Sequence, residues 1–256
     1  MPEGPPLLTH DAPGRATITL NRPRHLNRLH REDLIALQAH ITTLAADATL
    51  RVVVLTGRGR HFCAGFNLQE LEQADAAASD PQLFEHTVDA LEALPVPTIA
   101  RLNGGVFGGA TDLALACDFR IGVVGMELRM PAAALGLHYY ASGLQRYVSR
   151  LGLSAAKRLF LLAQTVPADE LLRLGYLDAV AEPQALDAAV EAMAQPLLQG
   201  APLALQGMKL SLNEIARGAL DKTAFAQRVA RCAGSEDLRE GLAAFVARRS
   251  ANFSGH

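Results

Sequence analysis

The distribution of apolar residues over the first part of the chain predicts strands that alternate with helices. Residues 15–20 (RATITL) alternate in polarity and are rich in β-branched side chains, which predicts a strand. In residues 31–46 the apolar side chains have the spacing of an amphipathic helix. Residues 51–56 form a continuous apolar run, so we expect a strand buried on both faces. Strands that alternate with helices in this way indicate an α/β core.

The same alternation continues to about residue 200 and then changes. We expect residues 73–81, which are rich in alanine and aspartate, to form a mobile surface segment. Further helices are predicted at 83–94, 110–117, 155–163, 167–174 and 186–198, with one more opening at Ser142. Further strands are predicted at 98–102, 119–123, 127–130 and 177–180. Beyond Gly200, three helical segments follow without a strand between them, at 202–216, 221–232 and 236–249. We therefore predict an α/β core over residues 1–199 and a helical domain over residues 200–256.

Composition and charge narrow the classes of protein that fit this pattern. Hydrophobic residues make up 50% of the 256 positions and charged residues 20%, which is enough to bury a sizeable core. The formal net charge of −2 argues against nucleic acid as the main partner. Cys63, Cys117 and Cys232 have no metal-ligand spacing, and the start of the chain does not resemble a signal or transit peptide. No apolar run approaches the ~18 residues of a membrane span. We expect a cytoplasmic protein with no membrane contact and no bound metal.

The stretch from Asn103 to Asp112 (NGGVFGGATD) carries the first candidate chemistry. Four glycines in six residues separate the strand predicted at 98–102 from a short helix that is apolar nearly all round. A glycine turn before a buried helix leaves unpaired N–H groups pointing at one place, with the helix dipole behind them. Such a site suits negative charge, either bound or developing during a reaction. The alternative is a tight structural turn in which Asp112 is a solvated or capping acid.

A second stretch, residues 62–66 (FCAGF), shares the design of residues 107–110. In both, small residues lie between a buried strand and the start of a helix. If the two strands are neighbours, the N–H groups of Phe66 and Gly109 converge on one oxygen and stabilise an enolate or a tetrahedral oxyanion. Loss of one such donor typically costs about 3 to 4 kcal/mol of transition-state stabilisation.

Five motifs follow one another along the chain. They are ITLNRP with LN at 18–27, VLTG with FCAGFNL at 54–68, NG and GG at 103–109, LRLGYLD at 172–178, and EGLAAF at 240–245. In their order and spacing they resemble the crotonase (enoyl-CoA hydratase/isomerase) superfamily over essentially the whole chain. The resemblance implies a crotonase-type spiral of ββα units with a C-terminal helical domain. It also implies a homo-oligomer, either a trimer or a dimer of trimers.

The resemblance further implies a substrate and its binding site. The substrate is an acyl-CoA thioester, so the CoA arrives with it and no separate cofactor is expected. The thioester carbonyl oxygen is held in an oxyanion hole formed by the backbone N–H groups of Phe66 and Gly109. The positions that match the family's CoA contacts are Arg24, Leu26 and Ala64 at the adenine, with Phe245 and Arg248 reaching the CoA of a neighbouring subunit. Arginine suits such a position because it pairs well with phosphate.

Two positions depart from the pattern of the family's hydratases. Those enzymes use two glutamates to place a water molecule and move its proton. The first falls on Asp112, whose side chain is shorter by roughly an ångström. The second falls on Ala132, which can neither donate nor accept a proton. We therefore do not expect ordinary two-glutamate hydration or an isomerase that relies on the second position. Dienoyl-CoA isomerases also match poorly, because their additional acids fall on Ala132 and Tyr140.

The polar side chains that remain near the expected site are Asp112, His138, Tyr139 and Tyr140. Methylmalonyl-CoA decarboxylases of the superfamily resemble this chain in a tyrosine at Tyr139, in lacking the second glutamate and in the tail NFSGH. Their oxyanion-loop histidine, however, is Phe66 here. Decarboxylation requires a held carboxylate and a stabilised enolate but no general base, so it tolerates Ala132.

We therefore predict an acyl-CoA-processing enzyme of the enoyl-CoA hydratase/isomerase type, with Asp112, Tyr139 and His138 as its catalytic residues. One alternative is a malonyl-type acyl-CoA decarboxylase, and another is a homologue that binds acyl-CoA without turnover. Each of the three side chains also has a structural alternative. For Asp112 it is an electrostatic role in the first helical turn, and for the two rings it is a place in the core.

Overall fold

A computed structural model describes residues 2–67, 69–70 and 82–256. The strands of this part of the chain are β1 (Leu7–Ala12), β2 (Arg15–Leu20), β3 (Val52–Gly57), β4 (Thr98–Leu102), β5 (Val106–Phe107), β6 (Phe119–Val123), β7 (Glu127–Arg129), β8 (Val166–Pro167) and β9 (Ala179–Ala181). The α-helices are α1 (Arg31–Ala46), α2 (Leu83–Glu92), α3 (Ala110–Ala116), α4 (Ala141–Leu151), α5 (Leu153–Leu162), α6 (Ala168–Arg173), α7 (Leu186–Gln199), α8 (Pro202–Ala216), α9 (Lys222–Ala233) and α10 (Glu236–Ala247). The mobile segment predicted at 73–81 lies outside the described residues.

The larger sheet fixes the relative positions of the two candidate loops. Its strands run in the order β1-β2-β3-β4-β6-β9, and every neighbouring pair after the antiparallel β1–β2 hairpin is parallel. Strands β3 and β4 are direct neighbours, with Leu55 opposite Ala100. Both strands are largely buried, as the apolar run at 51–56 predicts. Because parallel neighbours end at the same edge, the loops that follow β3 and β4 start side by side.

A smaller sheet, β5-β7-β8, lies beyond that edge. Val106 in β5 pairs with Leu128 in β7 and also forms an isolated bridge with Cys63 in the first loop. Helix α3 follows at once, and all seven of its residues are buried. The predicted short buried helix is thereby confirmed, and Val106 in the glycine stretch before it pairs with both β7 and the first loop.

Helices α8, α9 and α10 follow the last strand of the described chain, as the sequence predicts. Two buried contacts join them to the α/β part: the Lys209 ammonium lies 2.7 Å from an Asp118 carboxylate oxygen and 2.8 Å from the Val96 carbonyl oxygen. Large apolar side chains on these helices are exposed, among them Met208, Leu212, Leu242, Phe245 and Val246. None of the helices in the described part of the chain has the length and apolar character needed to cross a bilayer.

Helix α1 has the predicted bounds, but not every apolar side chain of its stripe is buried. Leu34, Leu37, Ile41 and Leu44 lie in the core, whereas Ile35 is 53% exposed. The pattern places Leu34 and Ile35 next to each other, and only one of two consecutive helical positions can point straight at the core.

We expect Leu37→Ala to lower the free energy of unfolding by about 2 to 5 kcal/mol, because it leaves a cavity among fully buried side chains. Ile35→Ala, on the same helix, should change it by less than about 0.5 kcal/mol, since the side chain removed is largely in solvent. Urea-induced unfolding followed by circular dichroism measures both changes. Equal destabilisation by the two variants would contradict the placement of the helix.

Candidate active site

The two glycine loops are in direct backbone contact. The Phe107 N–H donates to the Cys63 carbonyl oxygen at 3.0 Å. A Cβ placed on Gly65 would lie 2.7 Å from the Phe107 carbonyl oxygen and 3.2 Å from the Gly109 nitrogen. Gly65 also has φ +90°, a backbone conformation that side-chain-bearing residues rarely adopt. The neighbouring strands thus bring the two loops together as the sequence predicts.

The backbone N–H groups of Phe66 and Gly109 remain free to bind a ligand. Within the described residues, neither donates to a backbone or side-chain acceptor. Phe66 forms an isolated parallel bridge with Leu29, in which the Leu29 N–H donates to the Gly65 carbonyl oxygen at 2.8 Å. Gly109 is the residue that begins helix α3, where unpaired N–H groups are expected. Two adjacent loops therefore each present an unpaired donor.

Aromatic side chains cover the space beside these donors. The tip of the Phe84 ring packs on Gly109, where it would lie 2.6 Å from an added Cβ. The centroid of the Phe84 ring is 6.1 Å from that of Phe66 and 6.1 Å from that of Tyr140. Hydrogen bonds from backbone N–H groups to a developing oxyanion are stronger in such apolar surroundings than in water. Sequence reasoning missed Phe84, which carries no motif.

Asp112 is completely buried, which excludes the solvated acid considered from the sequence. Its Oδ2 accepts a hydrogen bond from Arg146 Nη1 at 2.7 Å and another from the Tyr140 hydroxyl. Its Oδ1 is buried and has no partner within the described part of the chain. The carboxylate is therefore held through one oxygen, and the other, also buried, has no hydrogen-bond partner among the described residues. Sequence reasoning also missed Arg146. A signal was present, because Asp112 lies in the apolar helix α3 and a buried carboxylate requires a partner of opposite charge.

Of the three consecutive ring-bearing residues His138, Tyr139 and Tyr140, two lie at the site and one lies at the surface. Tyr139 is buried, its ring stacks on Tyr140 with centroids 4.3 Å apart, and its hydroxyl donates to the Tyr140 hydroxyl at 3.3 Å. Burial and the nearby Asp112 charge raise the pKa of both tyrosines, so both stay protonated. His138 is exposed, and its Nδ1 lies 2.8 Å from the Tyr139 carbonyl oxygen. The structure thus joins Tyr139 and Tyr140 to Asp112 and leaves the His138 ring in solvent.

Two further positions bear on the chemistry of the site. Ala132 is 4% exposed and begins a short 3-10 helix, Ala133–Leu135, so this position offers no acid. Cys63 is fully buried, and burial raises the pKa of its thiol to about 12. A thiol in that state is not a nucleophile at neutral pH.

The candidate CoA-binding residues fall into two groups. The Leu26 carbonyl oxygen accepts from the Ala64 N–H at 2.9 Å, so these two positions are adjacent next to the first loop. Arg24 lies two residues before Leu26 with its side chain 88% exposed and its Nε 3.8 Å from a Glu3 carboxylate oxygen. Phe245 is 83% exposed on α10, and Arg248 ends that helix with φ +53°. An exposed arginine near the first loop is free to move onto a phosphate.

Comparisons with known proteins agree with this geometry. The sequence profile of the enoyl-CoA hydratase/isomerase family matches residues 12–256. The chain is 34% identical to YngF of Bacillus subtilis over 249 residues, which cover 94% of each protein. It is 30% identical to the crotonyl-CoA hydratase of Syntrophomonas wolfei, over 93% of this chain and 94% of that one. The crystal structure of an enoyl-CoA hydratase from Bacillus anthracis superposes with a TM-score of 0.87 at 29% identity, over 99% of this chain and all of the other.

The fold and the loop pair define a crotonase, which confirms the predicted fold class. The chain belongs to the enoyl-CoA hydratase/isomerase family. It is an acyl-CoA-processing enzyme of the hydratase/isomerase type, acting on CoA thioesters.

Gly65→Ala is expected to damage the site more than Gly108→Ala. Both glycines have positive φ, so alanine strains the backbone at either position. At Gly65 the added methyl also meets the backbone of the second loop, whereas at Gly108 the nearest atom is 3.9 Å away. Thermal unfolding and acyl-CoA turnover should both fall further for Gly65→Ala. Similar behaviour of the two variants would contradict the close approach of the loops.

Proposed function

We propose that this enzyme stabilises the enolate of an acyl-CoA thioester between the N–H groups of Phe66 and Gly109. The observation that carries the proposal is that both donors are unpaired in two loops that touch at Gly65. When a proton leaves the α-carbon, the electron pair of the C–H bond moves onto the thioester oxygen. Two backbone donors aimed at that oxygen stabilise the charge without rearranging.

Asp112 is the proton-transferring group of this proposal. Its partnerless Oδ1 takes the proton from the α-carbon, while Oδ2 stays bound to Arg146 and the Tyr140 hydroxyl. Returning the proton to the γ-carbon moves a double bond into conjugation with the thioester. One carboxylate suffices for this transfer, whereas water addition by the family's usual route needs a second acid, and that position is Ala132. We therefore favour double-bond isomerisation over hydration.

A decarboxylase of malonyl-type acyl-CoA esters is the second candidate. The chain of hydroxyls from Tyr139 through Tyr140 to Asp112 favours it, because Tyr139 can donate to a substrate carboxylate or to the enolate carbon. Loss of carbon dioxide leaves the electron pair on the α-carbon and thioester oxygen, so no base is required. Hydration of a short 2-enoyl-CoA, the activity in the name of the Syntrophomonas wolfei relative, is the third outcome to be tested.

We expect the protein to convert 3-butenoyl-CoA to crotonyl-CoA and to exchange the α-protons of the substrate in deuterated water, both followed by NMR. Asp112→Asn should reduce both rates by about 10²- to 10⁴-fold, since it removes the proton acceptor. Tyr139→Phe leaves the aromatic ring and the Asp112 carboxylate in place, so this variant should retain most of the α-proton exchange.

Other results select the alternatives. Release of carbon dioxide from methylmalonyl-CoA that is lost in Tyr139→Phe identifies the decarboxylase. Hydration of crotonyl-CoA that is lost in Asp112→Asn identifies a hydratase. If acyl-CoA esters raise the melting temperature but no ester reacts, the protein only binds them.

For the bound substrate, we propose that the adenine end of CoA lies at Arg24, Leu26 and Ala64. The adjacency of Leu26 and Ala64 supports this placement, as does the exposed Arg24 guanidinium. The CoA is part of the substrate, so the proposal includes no separate cofactor. A cytoplasmic location is proposed as well, supported by Cys63 and Cys117, which are free thiols.

We also propose that residues 200–256 assemble the chain into trimers or dimers of trimers. The support is the set of exposed apolar side chains on α8 and α10, which in an isolated chain would face water. In such an assembly Phe245 and Arg248 would reach the CoA of a neighbouring subunit.

Sedimentation equilibrium should give about 80 kDa or a multiple, three times the 27.3 kDa of one chain. Leu242→Asp should lower this mass, because it puts a charge in place of an exposed apolar side chain on α10. Arg239→Asp introduces the same residue at an exposed polar position of that helix and serves as the control. A single species of about 27 kDa for the unmodified protein would refute the assembly.

A further inference from the structure

Arg146 connects the candidate proton acceptor to helix α2. It lies in the middle of α4 with its side chain 1% exposed. Nη1 donates to Asp112 Oδ2 at 2.7 Å, and Nη2 donates to Asp89 Oδ1 at 2.6 Å and to Glu92 Oε2 at 3.2 Å. Burial by itself would lower the pKa of Arg146, but the charge and hydrogen bond of Asp112, together with Tyr140 and Asp89, raise this pKa by more than burial lowers it. The guanidinium is therefore a permanent buried cation.

We propose that Arg146 is a positioning residue for proton transfer, which fixes the Asp112 carboxylate so that Oδ1 is the oxygen facing the reaction. The inference rests on the proposed function, in which Asp112 takes the proton. It assigns to Arg146 no contact with the substrate; the arginine acts through Asp112 alone.

The first physical reason is charge. A completely buried carboxylate without a counter-charge is strongly disfavoured, and the usual result is that it binds a proton. The Arg146 guanidinium supplies that counter-charge at 2.7 Å from Asp112 Oδ2. The charged groups and neutral hydroxyls that act on Asp112 are those of Arg146, Arg150, Tyr139, Tyr140, Tyr147 and Tyr176. Within the described residues, Arg146 is the one cation paired directly with this carboxylate.

The second reason is geometry. A guanidinium is planar and presents its donors as a rigid fork, so contacts to α2 fix the direction of the contact to α3. Here one end of the fork is anchored by Asp89 and Glu92, and the other end holds Asp112. The Tyr140 hydroxyl occupies the same Oδ2 from the start of α4. With Oδ2 bound twice, rotation of the carboxylate would break two hydrogen bonds, so Oδ1 keeps its place.

Glu92 keeps the guanidinium from moving. Besides Arg146, its carboxylate binds Arg150 Nη2 at 3.0 Å and Arg217 Nη2. Three arginines thus meet the carboxylates of Asp89, Glu92 and Asp112, so each charge in this group has a partner of opposite sign. Arg150 lies one helical turn after Arg146 and does not touch Asp112, which makes it a matched control.

The test is a double-mutant cycle on α-proton exchange in deuterated water with 3-butenoyl-CoA. Arg146→Gln should lower kcat by about 100-fold, as expected for a misplaced reacting group, with little change in KM. In an Asp112→Asn background the same substitution should have almost no further effect, because its target is gone. Arg146→Lys should recover part of kcat, since it restores the charge but not the fork. Arg150→Gln removes the contact to Glu92 Oε1 but leaves the contact of Arg146 with Glu92 Oε2 in place, so it should lower the melting temperature and leave kcat close to that of the unmodified protein.

If the kcat losses of Arg146→Gln and Asp112→Asn multiply when the two substitutions are combined, the inference is overturned. Equal kcat losses from Arg146→Gln and Arg150→Gln would also overturn it. If Arg146→Gln does not fold, the cycle is run with Arg146→Lys, and the same comparison decides. Full exchange by Asp112→Asn would instead refute the proposed function itself. The two failures are therefore distinguishable.

Discussion

The close approach of two backbones at Gly65 is the constraint on which the site depends. A side chain at this position would collide with the loop after β4, and its φ of +90° is closed to most residues. Two parallel neighbouring strands bring the loops to this distance, and Val106 joins the second loop to β7 of the smaller sheet and to Cys63 of the first loop. The unpaired N–H groups of Phe66 and Gly109 lie on the two loops that this contact joins. Strand register thereby sets where these two donors lie.

Periodicity in the sequence predicted most of the regular elements because most of them bury one clear face. Helix α1 has the predicted bounds, and the all-apolar run before Cys117 is the fully buried α3. The missed strands carry no such pattern. β1 is an edge strand with mostly exposed residues, and β5 and β8 contain two residues each, too few for a period. Their pairing is decided by tertiary contacts.

The glycine loops were predictable from the sequence, whereas the partners of the site were not. Arg146 is 34 residues from Asp112, and an ion pair at that separation leaves no local signal. Phe84 and Gly109 likewise meet only because α2 packs beside α3. His138 and Tyr139 are adjacent in an irregular segment, where no period tells which side chain turns inward. The structure buries Tyr139 and exposes His138.

Glu92 has a consequence for how parts of this protein can be exchanged with those of relatives. Its carboxylate joins α4, through Arg146 and Arg150, to Arg217 at the end of α8. A chimaera that takes its C-terminal helices from another family member takes the residue at position 217 from that relative. Unless that residue were also a cation, Glu92 would lose one of its three arginine partners. A graft that joins the two parts after α7 must therefore also provide a residue at position 217 that can pair with Glu92.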